Sequence, residues 1–348
     1  MQRDFLIVGA GLAGCLAAWE LTKRGKTFLL IDDPSVGSAS QTAAGIINPV
    51  TGKRFVLLDN FAALLDEAKA TYTPMEKACG QAFLQKTSII RIFKNAEEYK
   101  FWNEERAKPE QLSLMKRFHP AGIYQQYVRD DFGSLTFDGY TVDGRALIAA
   151  LRSYFQKHFR EIPFHRKNLQ FQNNAWVWEK ETFEHVLFCE GFRARQNPWF
   201  DWIPFKHAKG EILIIETEHP TQPEGILNFG KWMQPLGRNI WKIGSTFEWE
   251  IIDENPSEAG RKELTASLQK YSPLAYQIVD QLAGVRPVVR DLQPILGTHP
   301  SEKNLHIFNG LGAKGFLYAP LCARILCEAI LEGKPLPEHL SVSRFLSI

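Results

Sequence analysis

The chain has 348 residues, 45% hydrophobic and 23% charged. That balance belongs to a globular protein, and it excludes a disordered, collagen-like or coiled-coil chain. Forty-one Lys and Arg against 39 Asp and Glu leave a net charge of +2, which gives no global field for steering toward nucleic acid.

Taken in chain order, residues 4–8 are a short apolar strand, Asp-Phe-Leu-Ile-Val. Gly9-Ala10-Gly11-Leu12-Ala13-Gly14 follows and opens a helix running to Arg24, with Gly25 as its stop. Residues 27–31 form a second buried strand, closed by Asp32-Asp33-Pro34. The unit is a complete β-α-β motif. Arg3 and the uncharged stretch after Asp4, with Leu12-Ala13-Gly14-Cys15, resemble a signal peptide with a lipoprotein cleavage site. Asp4 and the three glycines break that pattern, and cleavage there would remove the first strand. Residues 34–52 carry no charge and read as a loop.

Helical periodicity marks 61–78, 97–106 and 143–159. Strand patterns follow at 162–165, 169–172, 175–178, 185–189, 210–216 and 240–246. Residues 258–282 return to helix. The chain ends with a strand at 305–308, a Gly-rich turn at 310–315 and a helix over 316–332, before Pro335 and Pro337. At a rough 150 residues per domain, two domains are expected. No apolar run reaches the roughly 20 residues of a membrane span. The five Cys form neither a disulfide framework nor a paired metal site, and Cys322 and Cys327 fall on different helix faces. No metal is expected, and a reducing, cytoplasmic compartment is.

The glycine pattern carries the chemistry. Gly9 permits a tight turn, Gly11 lets a pyrophosphate approach the backbone, and Gly14 lets helix pack on strand. Leu12 and Ala13 start the helix, whose unpaired N–H groups and positive dipole end attract an anion. Asp32, with Asp33 beside it, can accept hydrogen bonds from ribose hydroxyls. These residues predict dinucleotide binding without choosing between FAD and NAD. The second Gly-rich strand-turn-helix favours a flavin, whose ring must be held as firmly as its phosphates.

Further segments carry a family resemblance. Ser38-Ala39-Ser40 leads to Ala43-Ala44-Gly45-Ile46-Ile47; Val186-Leu187-Phe188-Cys189 ends at Glu190-Gly191; Lys209-Gly210-Glu211 follows. The most specific piece is Gly284-Val285-Arg286-Pro287, then Asp291, Pro294 and Gly297, then Asn309-Gly310-Leu311-Gly312-Ala313-Lys314-Gly315 with Ala319-Pro320 beyond. In order and spacing they resemble the D-amino-acid-oxidase-like family of FAD-dependent oxidoreductases. That family includes glycine oxidase, sarcosine oxidase and the oxidase domain of the bacterial bifunctional tRNA wobble-uridine-modifying enzyme. The resemblance covers most of the chain.

It implies an α/β fold: a Rossmann-like FAD-binding domain of discontinuous segments, 1–50, 140–195 and 284–348, with an α+β substrate domain on a mixed sheet, 51–139 and 196–283. It implies that Ser40, Ala44, Gly45 and Ile46 run from the phosphates to the flavin ring, and that Glu190 and Gly191 lie near the adenosine. Gly310, Gly312, Ala313, Lys314, Gly315 and Phe316 would meet the flavin's pyrimidine edge, where a helix N-terminus stabilises negative charge. The Lys314 side chain either adds its charge there or stands in solvent. Arg286 would hold a substrate carboxylate through two parallel donors, or else form an ion pair with a residue such as Asp291. Trp232 stands where glycine oxidase carries a carboxylate-binding Tyr, which turns the expectation toward a bulkier or N-substituted amine, or toward a core role for this Trp.

The expected activity is oxidation of the C–N bond of a carboxylate-bearing primary or secondary amine by hydride transfer to flavin N5, with oxygen or another acceptor reoxidising the flavin. No catalytic base is required, and His119, His165, His185 and His207 show no ligand spacing. A second reading makes the substrate an N-carboxymethyl group on a tRNA wobble uridine, with Arg152, Lys157, Arg160, Arg166 and Lys167 as a local basic patch. A third is a flavoprotein whose flavin is structural or vestigial.

Overall fold

The computed structural model describes residues 2–35, 37–51, 56–58, 60–104, 115–218 and 223–346. Strands Gln2–Val8 and Phe28–Asp32 flank helix Leu12–Lys23 and pair in parallel, Phe5 opposite Phe28. Their unbroken apolar runs suit strands covered on both faces. Glu181–Phe188 adds beside the first strand and Leu305–Asn309 beyond it, while Phe159–Glu161 takes the far edge. The parallel spatial order is therefore 305–309, 181–188, 2–8, 28–32, 159–161. Helices Leu12–Lys23, Phe61–Cys79, Gly144–Tyr154 and Gly315–Glu332 bury Leu16, Tyr72, Leu151 and Leu326 in a core with Phe5 and Ile7 of the first strand. A second cluster around Trp176, Trp178, Phe188 and Phe200 holds Leu6 and Val8 on the alternate face of that strand. The Tyr72 hydroxyl donates to the Phe316 carbonyl at 2.8 Å, which ties helix 61–79 to the start of the last helix.

A second, mixed sheet runs in the order Tyr276–Arg286, Ala208–Thr217, Ile240–Gly244, Trp232–Pro235, Ile226–Asn228, Leu84–Ile92, Ser134–Val142 and Ile46–Ile47. One face packs on a core of Ile90, Leu213, Leu227, Met233 and Ile243. The chain is thus mixed α/β, with the two sheets joined through the 39–47 segment and the returning strand 276–286. Among the described residues no helix is long and apolar enough to cross a membrane.

Four stretches depart from the sequence patterns. Residues 258–282 are not one helix. Ser257 caps helix Glu258–Tyr271 by accepting from Gly260 N, and Pro273 holds Ser272 in extended backbone, which ends it. The following residues are drawn into a long antiparallel ladder, from Tyr276 opposite Thr217 to Arg286 opposite Ala208. The helix expected over 143–159 stops at Tyr154, and 159–161 pairs with the second strand instead. Pro163 lacks a ladder N–H, so the strand expected at 162–165 does not form. The uncharged loop of 34–52 holds one helical turn, Ala39–Thr42, and the short strands Ile46–Ile47 and Val50–Thr51.

Candidate active site

Two glycine-rich turns, brought together by the first sheet, wall one end of a single cavity of about 1100 Å³. At the first, Gly9 takes φ 101°, and a Cβ there would strike the Cys189 carbonyl. A Cβ on Gly14 would collide with the Gly9 carbonyl oxygen, so this glycine serves helix-on-strand contact and does not line the cavity. Gly11 differs: a Cβ would meet nothing closer than Ser40 Oγ at 3.5 Å, and the residue opens onto the cavity. Leu12 N–H donates to Ser40 Oγ at 3.1 Å.

Asp32 Oδ1 accepts from Ala10 N at 3.1 Å, and its other oxygen pairs with Arg152. Burial raises the Asp32 pKa, and Arg152 works against that rise. Asp33 lines the same wall. Glu190 is held by Arg166 at 3.2 Å and Asn197 at 2.7 Å, with burial raising its pKa. Three members of the expected basic patch are therefore paired with carboxylates of the same chain: Arg152 with Asp32, Arg166 with Glu190, and the exposed Arg160 with Glu181 at 2.7 Å.

The second turn crosses to the first. A Cβ on Gly315 would stand 3.4 Å from Leu12 Cδ2. Gly312, Ala313, Lys314, Gly315 and Phe316 share the cavity lining with Gly9, Gly11, Leu12, Ala13, Ser40, Ala44, Gly45, Ile46, Glu190 and Gly191. Gly310 does not line it and packs against Ile295 and Val289. Lys314 is exposed at the rim, where partial burial of its ammonium lowers its pKa.

The floor is the second sheet. Gly210, Ile212, Ile226, Asn228 and Trp232 face the cavity, and Arg286 reaches in from the last strand. Its guanidinium lies over Gly210, where a Cβ would occupy the same space. Nη2 donates to Ser245 Oγ at 2.7 Å, and Nη1 to the Lys209 and Thr246 carbonyls at 3.3 and 3.2 Å. The Phe247 ring centroid is 4.1 Å from its Cζ. All these partners are neutral, and burial pulls the Arg286 pKa down to about 10. The alternative pairing with Asp291 is overturned: Asp291 takes Arg344 at 2.7 Å. Trp232 lies across Gly244, opposite it in the ladder, and its Cζ2 would be 2.5 Å from a Cβ there.

The histidines play other parts. His119 Nε2 meets Thr136 Oγ1 at 2.9 Å, and His185 Nδ1 meets His306 Nε2 at 3.0 Å. Burial pushes His207 down to about 4. His165 alone of the four lines the cavity.

Arg91, Lys94 and Asn228 line the cavity and Arg152 braces Asp32 at its edge, though no sequence motif marks them as site residues. Arg91 belongs to strand Leu84–Ile92, for which the alternation of Ile89 and Arg91 against Ile90 and Ile92 is the sequence signal.

Two helix N-termini and an open glycine facing one elongated cavity suit a dinucleotide. Fold and cavity together define a dinucleotide-binding protein. More particularly, the chain belongs to the FAD dependent oxidoreductase (DAO) family, whose defining pattern matches residues 4–329, and FAD is its cofactor. It is 22% identical to the tRNA 5-methylaminomethyl-2-thiouridine biosynthesis bifunctional protein MnmC of Idiomarina loihiensis, over 99% of this chain and 59% of that protein. The chain thus spans about 59% of the length of that curated relative. Its fold is similar to iminodiacetate oxidase from Chelativorans sp. BNC1 (TM-score 0.79, 21% identity, 97% of this chain and 99% of that one). It is also similar to glycine oxidase from Geobacillus kaustophilus (TM-score 0.75, 21% identity, 99% and 98%).

Proposed function

We propose that the protein oxidises the C–N bond of a carboxylate-bearing primary or secondary amine. The observation that carries this reading is Arg286: a desolvated guanidinium on the cavity floor whose bonds all go to neutral oxygens. A charge held this way lacks the compensation that a carboxylate would supply, and its fork matches two carboxylate oxygens. Bound FAD supplies the two-electron acceptor for hydride leaving the carbon beside nitrogen, and oxygen or another acceptor reoxidises it.

On this reading residues 1–50, 140–195 and 284–348 hold the cofactor, and residues 51–139 and 196–283 carry the substrate. Gly11, Ala13, Ala313 and Phe316 offer backbone N–H groups and Ser40 a hydroxyl to its charged groups, Gly9, Leu12 and Gly312 wall its path, and Asp32 and Asp33 serve the ribose. Arg286 fixes the substrate at its carboxylate, and the Trp232 indole walls the amine's substituent. Ile212 and Ile226 keep the reacting carbon dry. Orientation and exclusion of water do the work, with no protein base. Five unpaired cysteines fit a reducing cytoplasm.

The test is anaerobic photometry of the FAD-loaded protein with amino acids, N-alkylglycines and proline-like amines. Bleaching of the flavin band by at least one class is expected, and Arg286→Ala should slow it about a hundredfold or more. An Arg286→Ala protein that bleaches at the wild-type rate removes the assignment.

A second reading takes an N-carboxymethyl group on a tRNA wobble uridine as the substrate. MnmC, named for tRNA modification, matches across 99% of this chain. At the rim, Phe247 and Trp249 are exposed and stacked at 26°, with Lys206 Nζ 5.2 Å from the Trp249 centroid. Exposed aromatics flanked by cations stack nucleobases. Salt-dependent tRNA binding supports this reading; no binding at low salt dismisses it.

A further inference from the structure

We propose that the cavity holds a second anion subsite, formed by Arg91 and Lys94, which selects amines bearing a further carboxylate or phosphoryl group at the end remote from Arg286. The inference rests on the reading that Arg286 takes the first carboxylate.

Sheet register provides the ruler. Along strand 84–92, Ile89 and Arg91 line the cavity while Ile90 and Ile92 enter the core beneath. Asn228 and Trp232 repeat the pattern on the next two strands, with Leu227 and Met233 turned down. Arg91 stands opposite Asn228, Asn228 opposite Trp232, and Trp232 opposite Gly244. Three steps of about 4.8 Å place strand 84–92 about 14 Å from strand 240–244. The Arg286 guanidinium occupies the latter end, on Ser245 and Thr246. Arg91 occupies the former, and the Trp232 indole lies between.

The local construction orients both cations. Arg91 Nη1 donates to Asn228 Oδ1 at 3.1 Å. Lys94 crosses Gly230, where a Cβ would stand 3.4 Å from its Cδ. Behind them Glu98, buried and absent from the lining, sets Oε1 3.0 Å from Lys94 Nζ and 3.6 Å from Arg91 Nη2. Glu98 also accepts from Lys94 N at 3.2 Å, and its own N–H donates to Asn95 Oδ1. Its carboxylate is thus a positioning group shared by two cations. Burial lowers the Arg91 pKa, and Glu98 opposes that shift. A pair of oriented, partly dried cations opens onto the same chamber as Arg286, and an anion arriving there gains charge-assisted hydrogen bonds.

The experiment compares N-alkylglycines with N-(carboxyalkyl)glycines and N-(phosphonoalkyl)glycines of equal length on the FAD-loaded protein. The wild type should show kcat/KM about tenfold higher for at least one doubly anionic series, the size of one charge-assisted hydrogen bond; the better series names the anion. In Arg91→Met/Lys94→Met the ratio should fall to about one. Lys94→Glu, which keeps a polar chain at the rim, should shift the preference toward N-(aminoalkyl)glycines. Equal kcat/KM for all series in the wild type, or a preference surviving in both variants, overturns the proposal. Should the wild type oxidise none of them, the functional reading fails by itself. Calorimetric titration of the same compounds then reads the subsite directly: about tenfold tighter binding of a doubly anionic series, lost in Lys94→Glu, sustains it, and equal affinities refute it.

Discussion

The crevice around Gly9 and the floor around Arg286 line the same cavity, yet the first is made of backbone and the second of side chains. In the crevice the working groups are backbone groups at two helix starts, with Gly11 open onto the cavity. On the floor the working groups are a guanidinium, an indole and an amide, spaced by the ladder from strand 84–92 to strand 276–286. A crevice of this kind tolerates change in side chains but not in packing volume. A floor of this kind holds its shape under substitution and loses its chemistry.

That contrast can be broken at five points. The largest effect is expected in the crevice. Gly14→Ala drives a methyl into the Gly9 carbonyl and should cost about 3 kcal/mol, with FAD lost on gel filtration and a lowered Tm. Gly11→Ala meets no such obstacle; it should keep the wild-type Tm without ligand while binding FAD about tenfold or more weakly by fluorescence titration. If the two variants behave alike, the division of labour among these glycines is wrong. On the floor, Gly244→Ala displaces the Trp232 ring and should change kcat/KM about tenfold, with a stability cost of only about 1 kcal/mol by urea unfolding.

Acid should then weaken the first sheet. His306 is buried between His185 and Thr298, and burial, with His185 adding to it, holds its pKa at about 3. A depressed imidazole pKa means the folded state resists the proton. Stability is therefore complete above the ordinary value of 6.5 and declines as pH falls below it. Tm measured from pH 7 to pH 4 should slope downward, and His306→Gln should flatten the slope. The smallest effect concerns Asp291. Burial tends to raise its pKa, but Arg344 and Gln293 N hold it below the ordinary value. Its stabilisation is present above the unfolded pKa and fades as pH falls through the folded one. Because the carboxylate is on the surface, Asp291→Asn should cost under about 1 kcal/mol and leave oxidation unchanged.

The same contrast explains what could be read from the amino-acid order. The crevice is local: strand, glycine turn, helix and acid follow within residues 2–32, so periodicity and turn chemistry suffice. The floor depends on which strand lies beside which. Residues 276–282 carry apolar spacing compatible with a helix, and only the long ladder with 208–217 decides the matter. Asp291 is near Arg286 in sequence, but the Arg286 side chain crosses its neighbouring strand to Ser245. Arg91 and Lys94 are hidden for the same reason: Arg91 comes near Trp232 only through strand register, and Lys94 lies just past the end of that strand. Arg152 looked like one charge on a helix face until the sheet carried Asp32 to it.

One consequence follows from the way the chamber is stitched. Its walls are drawn from residues 8–13, 31–33, 37–50, 162–167, 189–196 and 308–317, among others, the first and last of them lying near opposite ends of the polymer. Any molecule spanning them acts as a reversible cross-link, favouring the closed chain by RT ln(1 + [L]/Kd). Loading with the coenzyme should therefore slow proteolysis of the whole chain.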